Sequence, residues 1–80
     1  KARRILIKVD YDRLNQAFNE KLKQKIQANH DSVPYLIEVN RSDGYRVKVD
    51  SEPGAGLRAT LSMKNDIEEL TGENTVEILF

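Results

Sequence analysis

Hydrophobic and polar positions follow two different rhythms along this chain. From Arg4 to Asp10 the period is two, with Ile5, Ile7 and Val9 on one side and Arg4 and Lys8 on the other. Successive side chains of an extended backbone point to opposite faces, so this segment predicts a half-buried strand. Leu6 interrupts the polar side and implies that something packs there. Asp10-Tyr11-Asp12 then offers carboxylates to the free N–H groups of a helix's first turn. Leu14, Ala17, Phe18, Leu22 and Ile26 follow at helical spacing, with Glu20, Lys21, Lys23, Gln24 and Gln27 opposite. That predicts an amphipathic helix of about four turns. Asn29-His30-Asp31-Ser32 reads as the turn that ends it, and Pro34, which lacks a donor N–H, prevents continuation.

The period of two then returns. Tyr35, Ile37 and Val39 alternate with Glu38 and Asn40, and Arg41-Ser42-Asp43-Gly44 carries the Asp-Gly pair favoured in tight hairpins. Tyr45, Val47 and Val49 alternate with Arg46, Lys48 and Asp50. Pro53-Gly54 marks a further turn, after which Leu57, Ala59 and Leu61 alternate with Arg58 and Thr60 as the third strand of a meander. Ser62 or Asn65 is positioned to cap a shorter helix with Ile67 and Leu70 inward, and Glu68 completes a capping box if Asn65 is the cap. Gly72 stops that helix, and Val76, Ile78 and Phe80 alternate with Glu77 as a closing strand. The predicted order is β-α-β-β-β-α-β in an α+β fold with a small mixed sheet, the first helix crossing over it and both helices on one face. The other face then shows Arg4, Lys8, Arg46, Lys48 and Arg58 beside Glu38 and Glu77.

Composition narrows the setting. The 80 residues predict a single domain over 1–80, and the absence of a starting Met suggests an excised piece of a larger chain. There is no Cys, which removes disulfides and thiolate metal or redox sites and agrees with a cytoplasmic location. No apolar run approaches a membrane span, so no membrane partner is expected. The net charge of zero hides an asymmetry: residues 1–30 carry eight Lys/Arg against three acids, and residues 31–80 carry five against ten. A basic edge of this kind suits an acidic partner or a phosphate backbone, although ordinary solvated surface has the same composition.

Enzyme chemistry finds no footing. His30 is the only His and lies in a predicted turn, with no second His or Cys to complete a metal site. Asp10 and Asp12 suit a hard cation, but helix capping accounts for the same pair. Gly54-Ala55-Gly56 sits between predicted strands and lacks the helix N-terminus that lets a glycine loop hold phosphate. No Ser has a general base at a recognisable spacing. No catalytic residue, cofactor or metal is expected. Tyr35 and Tyr45 fall on the core side of the alternation, so a nucleic acid would meet backbone-binding cations but no stacking platform.

Several blocks resemble the extreme C-terminal domain of the bacterial replicative DNA polymerase III α subunit. They are Ile5-Leu6-Ile7-Lys8-Val9, the helix through Leu14, Leu22 and Ile26 into Asn29-His30-Asp31-Ser32-Val33-Pro34-Tyr35-Leu36-Ile37, the hairpin from Gly44 through Val47 and Val49, and Ile67-Glu68-Glu69-Leu70-Thr71-Gly72-Glu73-Asn74-Thr75-Val76-Glu77-Ile78. The resemblance covers nearly the whole chain but consists of structural motifs. It implies a non-catalytic, excised C-terminal fragment of a larger chain, a DNA-directed DNA polymerase, that docks on the τ subunit of the clamp loader and serves DNA replication. It carries over no individual contact residue, and no sliding-clamp peptide is present.

Three readings follow. A protein-docking domain predicts an exposed apolar patch at Leu6, Leu36 or Leu79, which sit out of phase with their strands. A nucleic-acid module would use Arg4, Lys8, Arg46, Lys48 and Arg58 to hold single-stranded DNA weakly and in a salt-dependent way. A small-molecule-sensing regulatory domain would need a pocket with convergent polar groups.

Overall fold

Ile5, Ile7 and Val9 are buried at the centre of the molecule in the computed structural model, which describes residues 2–80. They belong to β1 (Arg4–Asp10), the strand that the alternation predicts. β1 pairs in parallel with β3 (Tyr35–Asn40) and antiparallel with β5 (Val76–Leu79), while β4 (Arg46–Asp50) pairs antiparallel with β3. The sheet order is β4-β3-β1-β5. Parallel neighbours need a crossover, and α1 (Gln16–Ala28) lies within it. α2 (Leu61–Thr71) packs beside α1. Phe18 and Leu22 of α1 and Met63 and Ile67 of α2 meet Ile5, Ile7, Val9 and Val76 in one core, so both helices cover one face of the sheet. The fold is α+β. Among the described residues no helix is long and apolar enough to cross a membrane.

The helices are joined by polar contacts as well as by the core. Lys25 Nζ lies 2.8 Å from Asp66 Oδ1, and Asn29 donates through Nδ2 to Asp66 Oδ2 at 2.9 Å and to the Lys25 carbonyl at 2.8 Å. The hydrogen bonds from Lys25 and Asn29 hold the Asp66 carboxyl below its ordinary range, and the same contact with Asp66 raises the Lys25 ammonium. Part of the basic first third therefore meets the acidic remainder inside the fold; Lys1 lies outside the described residues.

Several local expectations are corrected. Asp10 caps a 3₁₀ turn at Tyr11–Arg13, accepting from the Asp12 N–H at 3.1 Å; the cap of α1 is Asn15, whose Oδ1 accepts from the Phe18 N–H at 2.8 Å. His30-Asp31-Ser32 is not a turn but part of a short strand, β2 (His30–Val33), outside the main sheet. The third meander strand does not form. Leu57 makes only isolated antiparallel bridges to His30 and Val33, and α2 already begins at Leu61. Its cap is neither Ser62 nor Asn65 but Thr60, whose Oγ1 accepts from the Met63 N–H at 3.2 Å. Glu68 reaches back to Lys64 at 2.7 Å and accepts from the Val76 N–H at 3.2 Å, tying α2 to β5. Burial raises the Glu68 carboxyl, but these hydrogen bonds outweigh it and leave the group below its ordinary value. Gly72 ends α2 as expected. β5 stops at Leu79, and Phe80 is 75% exposed. Val47 and Val49 have core-side parity yet are 42% and 51% exposed, because β4 is an edge strand and no helix residue of the core cluster reaches it.

Candidate docking surface

The residues opposite in parity to Ile5, Ile7 and Val9 form the sheet face that neither helix covers. Strand register arranges them in rows. Asp50, Leu36, Leu6 and Glu77 cross the sheet together, from β4 through β3 and β1 to β5. Lys48, Glu38 and Lys8 form the next row, and Arg46, Asn40 and Asp10 the one beyond. On the other side of the Leu row, Arg4 stands opposite Leu79.

Arg4, Lys8, Arg46 and Lys48 are thus brought to one face, together with Glu38 and Glu77, as the parity predicts. Arg58 is not. It lies in the loop before α2, with its N–H on the Asn29 carbonyl at 2.8 Å and its Nε 3.9 Å from Asp31 Oδ2. The expectation failed there because the segment from Leu57 to Leu61 is not a strand and so has no sheet face.

Asp10 and Asp50 complete the face, and their parity alone identifies them. The basic residues Arg4, Lys8, Arg46 and Lys48 are matched in number by Asp10, Glu38, Asp50 and Glu77. Glu38 stands between Lys8 and Lys48, with Arg46 Nε at 3.9 Å. A face so balanced has little net field with which to follow a phosphate backbone, and its residues include no aromatic side chain for base stacking.

Leu6 and Leu36 are direct cross-strand partners, both half-buried, at the centre of this face. They lie on the parallel pair of the sheet. Parallel strands are normally covered on both faces, whereas antiparallel ones commonly leave a face to water. Here the parallel pair is covered on one face only, and its other face carries leucines where solvated alternation would place polar residues.

Two concavities lie elsewhere. A polar cleft of about 520 Å³ opens at the carboxyl ends of β1 and β3, where open α/β sheets commonly bind ligands. Three of its charged groups are already engaged: Asp10 caps the 3₁₀ turn, Arg13 Nη1 donates to the Leu70 carbonyl at 3.5 Å, and Arg41 lies over Tyr11 and Tyr45 and 3.0 Å from Asp43. A more apolar groove of about 440 Å³ runs between α1 and β3, lined by Leu22, Ile26, Tyr35, Ile37, Ala55 and Gly56 among others. Burial there, reinforced by the charge of Glu52, raises the Tyr35 phenol. His30 at its edge is exposed, with Nε2 3.3 Å from the Gly54 carbonyl oxygen. No group of three or more His, Asp or Glu side chains among the described residues is placed to hold a metal ion.

No family model, no curated protein and no solved structure matches the chain.

Proposed function

We propose that this chain is a non-catalytic docking domain whose open sheet face receives another protein. The observation that carries the reading is the Leu6–Leu36 pair, half-buried on the uncovered side of a parallel strand pair. A partner covering that face would remove the leucines from water and place its own charges against the alternating ring of Arg4, Lys8, Glu38, Asp50 and Glu77. Apolar centres ringed by polar groups are the usual anatomy of protein interfaces. The balance of charge on the face favours a protein over a nucleic acid.

The resemblance to the C-terminal domain of the bacterial DNA polymerase III α subunit supplies the partner we propose, the τ subunit of the clamp loader, and with it a cytoplasmic role in DNA replication. The test is an amide-shift titration of the isotopically labelled chain with the τ C-terminal domain, and separately with short single-stranded DNA, each at low and moderate salt. Shifts clustered on Leu6, Leu36 and their neighbours that persist with salt, and that disappear in Leu36→Asp, support docking on τ. Shifts with DNA alone that vanish as salt rises would replace docking by backbone binding. Silence with both ligands removes the proposed partner.

A further inference from the structure

The free edge of β4 carries a pattern that the sheet does not use. In the β3–β4 ladder, Ser51 donates its N–H to the Tyr35 carbonyl at 2.9 Å and Arg41 donates to the Tyr45 carbonyl at 2.9 Å. Antiparallel ladders alternate, so the odd residues of β4 turn their backbone groups toward β3. The N–H and C=O groups of Arg46, Lys48 and Asp50 therefore point outward from an edge on which every residue is exposed. An unpaired edge is a template for another strand, and natural edges are commonly blunted by charge.

Here the charge does something different. An edge carrying one sign throughout repels its own copy. On β4 the sign reverses along the strand, from Arg46 and Lys48 to Asp50. An antiparallel copy lays a reversed sequence against it, so positive positions meet negative ones. With the two-fold axis at Val49, Lys48 of each copy stands opposite Asp50 of the other. Those two pairs are the backbone-bonded ones, since Lys48 and Asp50 already present their outward groups. On the helix side the same register sets Val49 against the second copy's Val49 and covers Val47, the two apolar residues that β4 leaves exposed. Shifting the axis to Lys48 would instead place two like charges directly opposite, which destabilises a sheet pair.

We propose that the chain self-associates through β4, with a second copy adding antiparallel in the register centred on Val49 and joining the two sheets into one. The interface is a sheet edge and not the face of Leu6 and Leu36, so it stands or falls independently of the docking partner. A contact of one short strand is small, and the dimer dissociates on dilution.

Sedimentation velocity across a concentration series from micromolar to millimolar tests this. The wild-type chain shifts from monomer toward dimer, while Lys48→Asp and Asp50→Lys each remain monomeric, because each sets like charges opposite in its own homodimer. An equimolar mixture of the two variants regains the dimer, since each then faces its opposite. The double variant Lys48→Asp/Asp50→Lys also dimerises in the Val49 register, whereas an axis at Lys48 forbids it. Unchanged far-ultraviolet circular dichroism checks that each variant is folded. A wild-type chain that stays monomeric at millimolar concentration overturns the proposal. So does a dimer that persists in both single variants, or a mixture that fails to recover.

Discussion

Gly56 and Gly54 stand two residues apart in one loop, yet the structure gives their substitution by Ala very different consequences. Gly54 has φ of 85° and nothing within 4 Å of where a Cβ would sit, so its cost is the backbone strain of a left-handed alanine, about 1 kcal/mol. Gly56 lies outside the left-handed region. Its added carbon would instead lie 2.6 Å from the Asp31 carbonyl oxygen and 2.8 Å from that of Val33. Even a close C–H···O contact needs about 3.3 Å, so roughly 0.7 Å of relief is required, and backbone must move to provide it.

The movement separates β2 from the loop. It threatens the bonds from Asp31 N–H to Gly56 at 3.2 Å and from Arg58 N–H to Asn29 at 2.8 Å, and it lifts the wholly buried Leu57. Two hydrogen bonds at about 1 kcal/mol each, together with overpacking strain of about 1–3 kcal/mol, give a loss of about 3–5 kcal/mol. A chain of this length has about 4–12 kcal/mol in all. At about 4–8 °C per kcal/mol, Gly56→Ala melts about 12–40 °C below wild type and Gly54→Ala about 5 °C below. Thermal unfolding followed by circular dichroism measures both. Equal melting temperatures for Gly56→Ala and wild type, or a larger loss for Gly54→Ala, would refute the close-approach argument.

Helix α2 offers a second discrimination: Thr60→Ala loses the cap and costs about 0.5–2 kcal/mol, whereas Asn65→Ala stays within about 0.5 kcal/mol, both read from urea midpoints. Asn29→Ala removes a buried side chain that bonds both Asp66 and the Lys25 carbonyl, and lowers stability by about 1–3 kcal/mol in the same assay. The depressed Asp66 and Glu68 carboxyls give stability that is complete above their unfolded values of about 3.9 and 4.3 and is lost as pH falls through their lower folded values. Urea midpoints taken from pH 6 downward therefore fall less steeply in Asp66→Asn/Glu68→Gln than in wild type, and a parallel fall would discount both groups. The raised Lys25 acts at the other extreme, its contribution complete below about 10.4 and lost as pH rises through the folded value, so Lys25→Met flattens the alkaline limb.

What the sequence made legible was parity. Wherever alternation was long and its partners strong, as at Ile5/Ile7/Val9 and Tyr35/Ile37/Val39, the strand and its faces were readable. That is why Arg4, Lys8, Arg46 and Lys48 fall together. Parity does not say what lies above a face. Val47 and Val49 have core parity, but their exposure depends on how far the helices extend across the sheet, a fact of three-dimensional packing. The segment from Leu57 to Leu61 departs from its alternation for a local reason. Its three alternating apolar residues also fit a loop anchor followed by a helix start, and reading Thr60 as a strand residue hides it as the cap. His30 to Val33 carries no apolar alternation, and its extended form depends on the bridges to Leu57. The leucines on the open face were visible as breaks in rhythm, but their side-by-side placement depends on pairing across the α1 crossover.

The first strand of the chain is also an inner strand of the sheet, and one of its two neighbours is the last. During synthesis Ile5-Leu6-Ile7 leaves the ribosome before either partner: β3 follows only after α1 has emerged, and β5 only when Val76–Leu79 is made. Neither flank of the most buried strand can be completed by nearby sequence. Such non-local closure makes folding slow relative to helix formation, and for that interval a short, strongly apolar segment has both edges open. Until the last strand arrives, Ile5 and Ile7, which end wholly buried, are as open to intermolecular pairing as Leu6, which stays half-buried.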